Sequence, residues 1–262
     1  MLDDLDDHYT ARTHKKERLF LVQQLQNLAS EFSIRISILG GDVHLAAVGR
    51  FYSSLKLQIP IINDHRYMAN IISSAIVNKP PPPLVANLLA RRNKIHHLDQ
   101  DTDETLLEFF DKNPGRVVKT AHFNHVTMPS RNWAMITENR APSGAAKSGA
   151  DGYVANGHTY NGNIEDPLAD TIPKALDGHS WLHRGEINAG TRHKAADSEK
   201  HGRELDGSLD VCIRVEIDQH DKEGKTQSYG ITIPRLEYEG AAKRTLKEDA
   251  VHAIHAAPNQ GA

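Results

Sequence analysis

Asp42 and His44 are the residues whose types and spacing point most directly to chemistry. They follow an apolar run, residues 34–39, that ends at Gly40 and Gly41. In extended backbone, side chains two residues apart leave on the same face, close enough to share one metal ion. A carboxylate oxygen and an imidazole nitrogen suit a divalent or ferric ion in a hydrolytic site. The other interpretation is that Gly-Gly-Asp forms only a turn and that His44 is a satisfied polar residue.

Asp7 and His8, with Asp4 as a further candidate, form a second group just before a region with helical spacing. We expect a helix from Thr13, the candidate N-cap, because apolar residues then recur at intervals of three and four: Leu19, Val22, Leu25, Leu28, Ala29 and Phe32. A helix in an α/β unit runs antiparallel to its strand, so its start lies at the carboxyl end of that strand. Asp7 and His8 are therefore expected to meet Asp42 and His44 at one edge of the sheet. Alternatively, the acidic residues 3–7 merely offset the helix dipole.

For two further groups of polar residues, a structural role is favoured over a functional one. His96 and His97 precede several acidic residues, and adjacent histidines point apart, which favours a solvated polar segment. Arg131 could hold an anionic substrate, but with Trp133 it more readily anchors a strand. No P-loop, Gly-x-Ser-x-Gly elbow or Rossmann fingerprint occurs in the sequence, which argues against nucleotide-dependent transfer and serine hydrolase chemistry.

The helices and strands that must position these residues can be predicted from the sequence, and together they indicate an α/β or α+β fold. Residues 34–39, 45–52 and 67–77 have β-type composition, and the first of them is expected to be a buried strand. Pro80 to Pro83 close the third run, and short helices are expected at 84–92 and at 102–111, the latter capped by Thr102 or Asp103. Alternating apolar residues at 209–217 and 229–233, with a turn containing Gly224, predict a β-hairpin.

Composition predicts that part of the chain stays outside this core. Only 39% of the 262 residues are hydrophobic. Residues 139–207 are rich in Gly, Ala, Ser, Asp, Asn and His without periodicity, which predicts a long loop or disordered insertion. Residues 240–262 are expected to form a weak helix and tail.

Charge and cysteine content exclude several classes of function. The net charge of −3, with both signs mixed, gives no footprint for nucleic acid binding. A single cysteine, Cys212, excludes an internal disulfide framework. No apolar run is long enough for a transmembrane segment, and the acidic N-terminus is unlike a signal peptide. We expect a cytoplasmic protein, with membrane-surface association open if its substrates are phospholipids.

Four segments, in their order along the chain, resemble the C-terminal part of a PhoD-like phosphatase of the fungal type. They are residues 4–9, 14–18, 37–49 and 72–82, and similarity recurs at 181–183 and 209–216. That family belongs to the calcineurin-like metallophosphoesterases, so the resemblance implies a metal-dependent phosphatase or phosphodiesterase that hydrolyses phosphate esters. It further implies half of a β-sandwich flanked by helices.

The resemblance also assigns roles to the candidate residues. Asp42 and His44 stand where the last pair of metal ligands stands, and Asp7 and His8 stand at the pocket rim near the substrate phosphate, as catalytic residues. The metal could be Fe, Ca, Mn or Zn. The family's other ligands lie upstream of the segment that matches Asp4, so we expect a missing N-terminal half and incomplete activity.

The implied organisation has four parts: residues 1–138 as the C-terminal half of the phosphatase core, 139–207 as the insertion, 208–238 as a hairpin completing the sheet, and 239–262 as a tail. The alternative function is a non-catalytic interaction module derived from such a domain.

Overall fold

The computed structural model describes residues 9–41, 44–140 and 189–238. They form two β-sheets that pack face to face, with one long helix on the outer face of the first sheet. The predicted mixed α/β class is therefore confirmed. Asp7, His8 and Asp42, together with the predicted tail, lie outside the described residues.

Helix α1, Lys15–Phe32, confirms the first helix but not its predicted cap. Thr13 lies within a 3₁₀ turn, Arg12–His14, that leads into the helix. At the other end Ser33 is left-handed, with φ at 52°, and its N–H donates to Ala29 O, which ends the helix. Val22 packs on Phe51 and Met68 of the sheet beneath.

The first sheet has the strand order β1-β3-β2-β5-β4, with β6 beside β2. Its strands are β1 Ser37–Gly40, β2 Ala46–Ser53, β3 Met68–Ser73, β4 His96–His97, β5 Thr102–Leu106 and β6 Thr127–Met128. β1 runs parallel to β3, and β2 runs antiparallel to both β3 and β5. The carboxyl ends of β1 and β3 therefore lie at the same edge of the sheet.

The second sheet, in the order β7-β8-β9, contains the predicted hairpin. β7 is Asn132–Glu138, β8 is Leu209–Glu216 and β9 is Thr226–Ile233. Alternate residues of β8, Val211, Ile213 and Val215, enter a core shared with the first sheet, where Phe109, Phe110 and Tyr229 contact one another through their rings. This shared core holds the two sheets together.

Two expected elements differ from the structure. Residues 102–111 are not a helix: β5 occupies Thr102–Leu106, paired with β2, and the buried Leu107, Phe109 and Phe110 follow it in non-helical backbone. Thr102 and Thr105 favour a strand, and pairing with β2 gives it a partner. Strand β1 is not the buried strand that composition predicted. Within the described residues β3 is its one neighbour, and Leu39 is 71% exposed.

The end of the segment predicted as an insertion belongs to the folded core. Within residues 189–207, Ala195 is fully buried and Gly190 forms a backbone bridge to Gly230 of β9. This segment covers the face of β8 that carries Asp210, which is also fully buried. Composition did not indicate this, because the contacts are backbone and polar ones. Residues 141–188 of the predicted insertion lie outside the described residues.

Helix α2, Pro83–Arg91, confirms the predicted helix after the prolines. Within the described part of the chain, no helix is both long and apolar enough to cross a membrane.

Candidate active-site edge

The candidate site lies where the parallel strands β1 and β3 end. Gly40 ends β1, and Ser73, which ends β3, pairs with Ala46 at the start of β2. The chain segments that leave these strands, around His44 and Ser74, therefore share one edge of the sheet. In α/β folds, polar groups at such an edge are where ligands usually bind.

His44 is held on this edge by two contacts. Its backbone N–H donates to Ser74 Oγ at 2.9 Å. On the ring, Nε2 lies 3.1 Å from Asn78 Nδ2. His44 also has φ at 54°, an unusual backbone conformation for a residue other than glycine that tends to cluster at functional sites. The backbone at His44 is therefore left-handed and not extended as expected. The placement of the Asp42 and His44 side chains side by side remains a prediction.

The Asn78 contact is the kind of support that a metal-binding histidine needs. With Nδ2 facing the ring, Asn78 donates to the Nε2 lone pair. Turning this amide over would place Oδ1 beside Nε2, so that Nε2–H donates and Nδ1 keeps the lone pair a metal requires. Asn78 thus orients the His44 ring, and the role of His44 as a metal ligand remains a prediction. Sequence reasoning gave Asn78 no role, although the residue lies in a segment that carried the family resemblance.

Asn132, the first residue of β7, ties the second sheet to this edge. It is 3% exposed, its Oδ1 accepts a hydrogen bond from Ser73 Oγ at 2.8 Å, and its N–H donates to Ala75 O at 2.9 Å. Next to it a cleft of about 340 Å³ opens between the sheets, lined by Leu39, Gly40, Ile71, Ser73, Ser74, Ile76, Asn132, Trp133, Ala134 and Ile136. The sequence did not indicate Asn132 or Ser73 as site residues, because the two residues meet only through the packing of the sheets.

The start of α1 lies away from this edge in the described residues. Arg18, in its first turn, pairs with Glu104 of β5 and stacks over Phe51. β5 is separated from β1 by β2 and β3. The expected meeting of Asp7 and His8 with His44 therefore depends on residues outside the described ranges, and their catalytic role remains a prediction.

The other two polar groups have structural contacts. Arg131 donates through Nε and Nη2 to both carboxylate oxygens of Glu216, which agrees with the anchoring interpretation. His97 Nδ1 lies 2.6 Å from Asp103 Oδ1, while its side chain is 75% exposed. Within the described ranges, no three His, Cys, Asp or Glu residues group closely enough to hold a metal ion.

Comparison with known proteins identifies the family. Residues 1–149 match the family model described as "PhoD related phosphatase". This chain belongs to the PhoD related phosphatase family. The matched region includes α1, the first sheet and His44, and the similarity expected from the sequence is confirmed.

A yeast relative extends this similarity. This PhoD related chain is 41% identical over 255 residues to the "Uncharacterized protein YGR266W" of Saccharomyces cerevisiae, an alignment that covers 90% of this chain and 33% of the yeast protein. The chain thus spans about a third of the length of this relative. No solved structure matches the chain.

Proposed function

We propose that this chain is part of a metal-dependent phosphatase or phosphodiesterase that hydrolyses phosphate esters. The observation that supports this most is the position of His44 at the end of adjacent strands, with Ser74 holding its backbone and Asn78 its ring. Membership of the PhoD related family supports the reaction class.

His44 and Asp42 would hold one metal ion, of Fe, Ca, Mn or Zn type, and Asp7 and His8 would lie beside the substrate phosphate. A bound ion supplies Lewis acidity and lowers the pKa of water. The chain's own contribution is to orient the His44 ring through Asn78 and to shape the cleft beside Gly40. Three protein ligands are the usual minimum for a catalytic ion, so further ligands have to come from elsewhere.

The source of these ligands would be another part of a longer polypeptide, the expected N-terminal half. β1 and β7 both lie at the ends of their sheets as far as the structure describes them, on either side of the same cleft. β1 also exposes Leu39, and an open strand edge with apolar residues is suited to pairing with further strands. Added strands at this side would complete the sandwich and bring ligands to His44.

Calorimetric titration with manganese, ferrous, calcium and zinc salts tests the metal site. We expect weak binding of at least one ion, lost in Asp42→Ala and in His44→Ala but kept in His97→Ala, which removes a mostly exposed histidine elsewhere. Hydrolysis of a nitrophenyl phosphate monoester and diester should appear when the chain is part of the longer polypeptide.

The alternative is a non-catalytic interaction module. It is favoured by the lack of any group of three metal-ligating side chains in the described ranges. Two results together would establish the interaction module and refute the metal site. The chain would bind no metal, and hydrolysis by the longer polypeptide would be unaffected by Asp42→Ala and His44→Ala.

A further inference from the structure

Helix α2 exposes its large apolar residues and buries its small ones. Ala86 and Ala90 face the protein and are 0% and 4% exposed. The exposed positions are instead apolar: Leu84 at 79%, Leu88 at 50%, Val85 at 42% and Leu89 at 40%. A helix on a soluble domain normally directs its larger apolar side chains toward the core. The outer face of α2 is therefore suited to contact something other than water.

Basic residues lie in and beside α2 along the chain. Residues 74–98 contain four lysines and arginines, Lys79, Arg91, Arg92 and Lys94, and no acidic residue, although the whole chain carries a net charge of −3. All four are exposed. The Arg91 guanidinium lies 4.4 Å from the centre of the Phe123 ring, which is itself 48% exposed. Apolar and cationic groups are thus combined on one surface.

The orientation of α2 is fixed by polar contacts on its inner side. Thr127 Oγ1 donates to Ala86 O at 3.2 Å, and Asn124 Nδ2 donates to Asn87 Oδ1 at 2.8 Å. Just after the helix, Asn93 Oδ1 accepts the backbone N–H of Leu106 at 3.2 Å. Rotating the leucines inward would break these contacts, so their exposure is built into the fold.

We propose that this α2 surface, Leu84, Val85, Leu88, Leu89, Arg91, Arg92 and Phe123, docks on an anionic phospholipid membrane. Interfacial helices combine leucine and phenylalanine with arginine and lysine in this way, so that apolar side chains enter the acyl boundary and cations remain among the head groups. A segment with four exposed cations and no acidic residue complements a negatively charged leaflet. Docking does not depend on catalysis by the chain.

The position of the α2 surface gives docking a functional consequence. Asn78, which contacts the His44 ring, immediately precedes Lys79 and three prolines that lead to Pro83, the first residue of α2. Consecutive prolines are a stiff connection. A docked α2 would hold the candidate active-site edge close to phosphate esters in the membrane surface.

Vesicle co-sedimentation tests the proposal, with the 262-residue chain and vesicles of phosphatidylcholine alone or with about a third phosphatidylserine. We expect binding to the anionic vesicles, weakened by salt. Arg91→Gln/Arg92→Gln should lower the partition coefficient about twenty-five-fold, since each basic residue near such a surface contributes roughly fivefold. Leu84→Asp/Leu88→Asp should lower it at least about tenfold, because two buried leucines are lost and two negative charges gained.

Matched controls come from α1. Leu21→Asp/Leu28→Asp changes two leucines that are 44% and 43% exposed, and Lys15→Gln/Lys16→Gln removes the same charge as the arginine variant. Both should bind as the unchanged chain does, and thermal unfolding should show that all variants fold. The proposal is overturned if no vesicle binds the chain, or if the α1 and α2 variants weaken binding equally. It is also overturned if the α2 variants instead dissociate a dimer seen by sedimentation without lipid.

Discussion

Replacing Arg35 with Met should destabilise the fold far more than its place beside an edge strand suggests. The guanidinium makes four hydrogen bonds of 3.0 Å or less to backbone carbonyls: Ile61 O and Asp64 O at 2.6 Å, Tyr67 O at 2.9 Å and Pro234 O at 3.0 Å. It also lies 5.1 Å from the centre of the Tyr67 ring. Burial lowers the pKa of Arg35 to about 10, so the group is still a cation at neutral pH. One side chain thus joins the start of β1, the segment before β3 and the end of β9.

The size of the loss follows from these contacts. Hydrogen bonds to a charged group contribute about 1.5–3 kcal/mol each, which for the four gives a gross value of about 6–12 kcal/mol. Removing the cation recovers its desolvation cost, and water can reach part of the carbonyl set. We therefore expect Arg35→Met to lower the free energy of unfolding by about 3–5 kcal/mol, because each buried carbonyl left without a donor costs about 1–3 kcal/mol.

Urea denaturation at neutral pH measures this change. Arg35→Lys should cost about half as much, because an ammonium keeps the charge but cannot reach all four carbonyls. Arg235→Met is the matched control: its side chain is 58% exposed and pairs with Glu237, so it should cost less than about 0.5 kcal/mol. A cost below about 1 kcal/mol for Arg35→Met would refute the reasoning.

Two further predictions concern the segment that covers the second sheet. Burial lowers the pKa of His193 to about 4, below its unfolded value of 6.5, so stability should be complete above pH 6.5 and fall by about 2 kcal/mol as the pH drops from 6.5 to 4. In His193→Asn, Oδ1 can still accept from Ala195 N–H, so the melting temperature should depend less on pH between 6.5 and 4. An unchanged pH dependence of the melting temperature would exclude His193 as its source. A Cβ at Gly230 would lie 2.3 Å from Ala196 N, so Gly230→Ala should displace the segment and lower the free energy of unfolding by about 2–4 kcal/mol in urea denaturation. The control Gly224→Ala should cost only about 1 kcal/mol, because Gly224 has φ at +63° but nothing within 4 Å of an added Cβ. Equal costs for the two variants would show that the close packing at Gly230 does not matter.

The sequence was most informative where one local pattern decides the structure. The spacing of Val22, Leu25 and Ala29 predicted α1, and the alternation of Val211, Ile213 and Val215 predicted β8, because in both cases a single face meets the core. The ordered series of segments that resembles PhoD-like phosphatases predicted the family, which its family match confirms.

Prediction failed where tertiary pairing outweighs local composition. Leu106, Leu107, Phe109 and Phe110 resemble a helical face. Instead, strand β5 ends at Leu106, paired with β2, and the other three residues follow it in non-helical backbone. The burial expected for β1 was wrong, because within the described residues β3 is its one neighbour and Leu39 is 71% exposed. At the candidate site, the Asn78 and Asn132 contacts join residues distant in sequence, so residue types alone could not reveal them.

Asn132 gives the candidate site a built-in spectroscopic reporter. Its side-chain amide bonds Ser73 Oγ and Ser130 O, and its backbone N–H bonds Ala75 O, on the segment that leads to Asn78. A ligand that moves the Ser73–Asn78 segment must alter these hydrogen bonds. The Asn132 resonances in a nitrogen-15 NMR spectrum should therefore shift when a ligand binds at the candidate active-site edge. Metal or phosphate binding can thus be followed without an assay of hydrolysis.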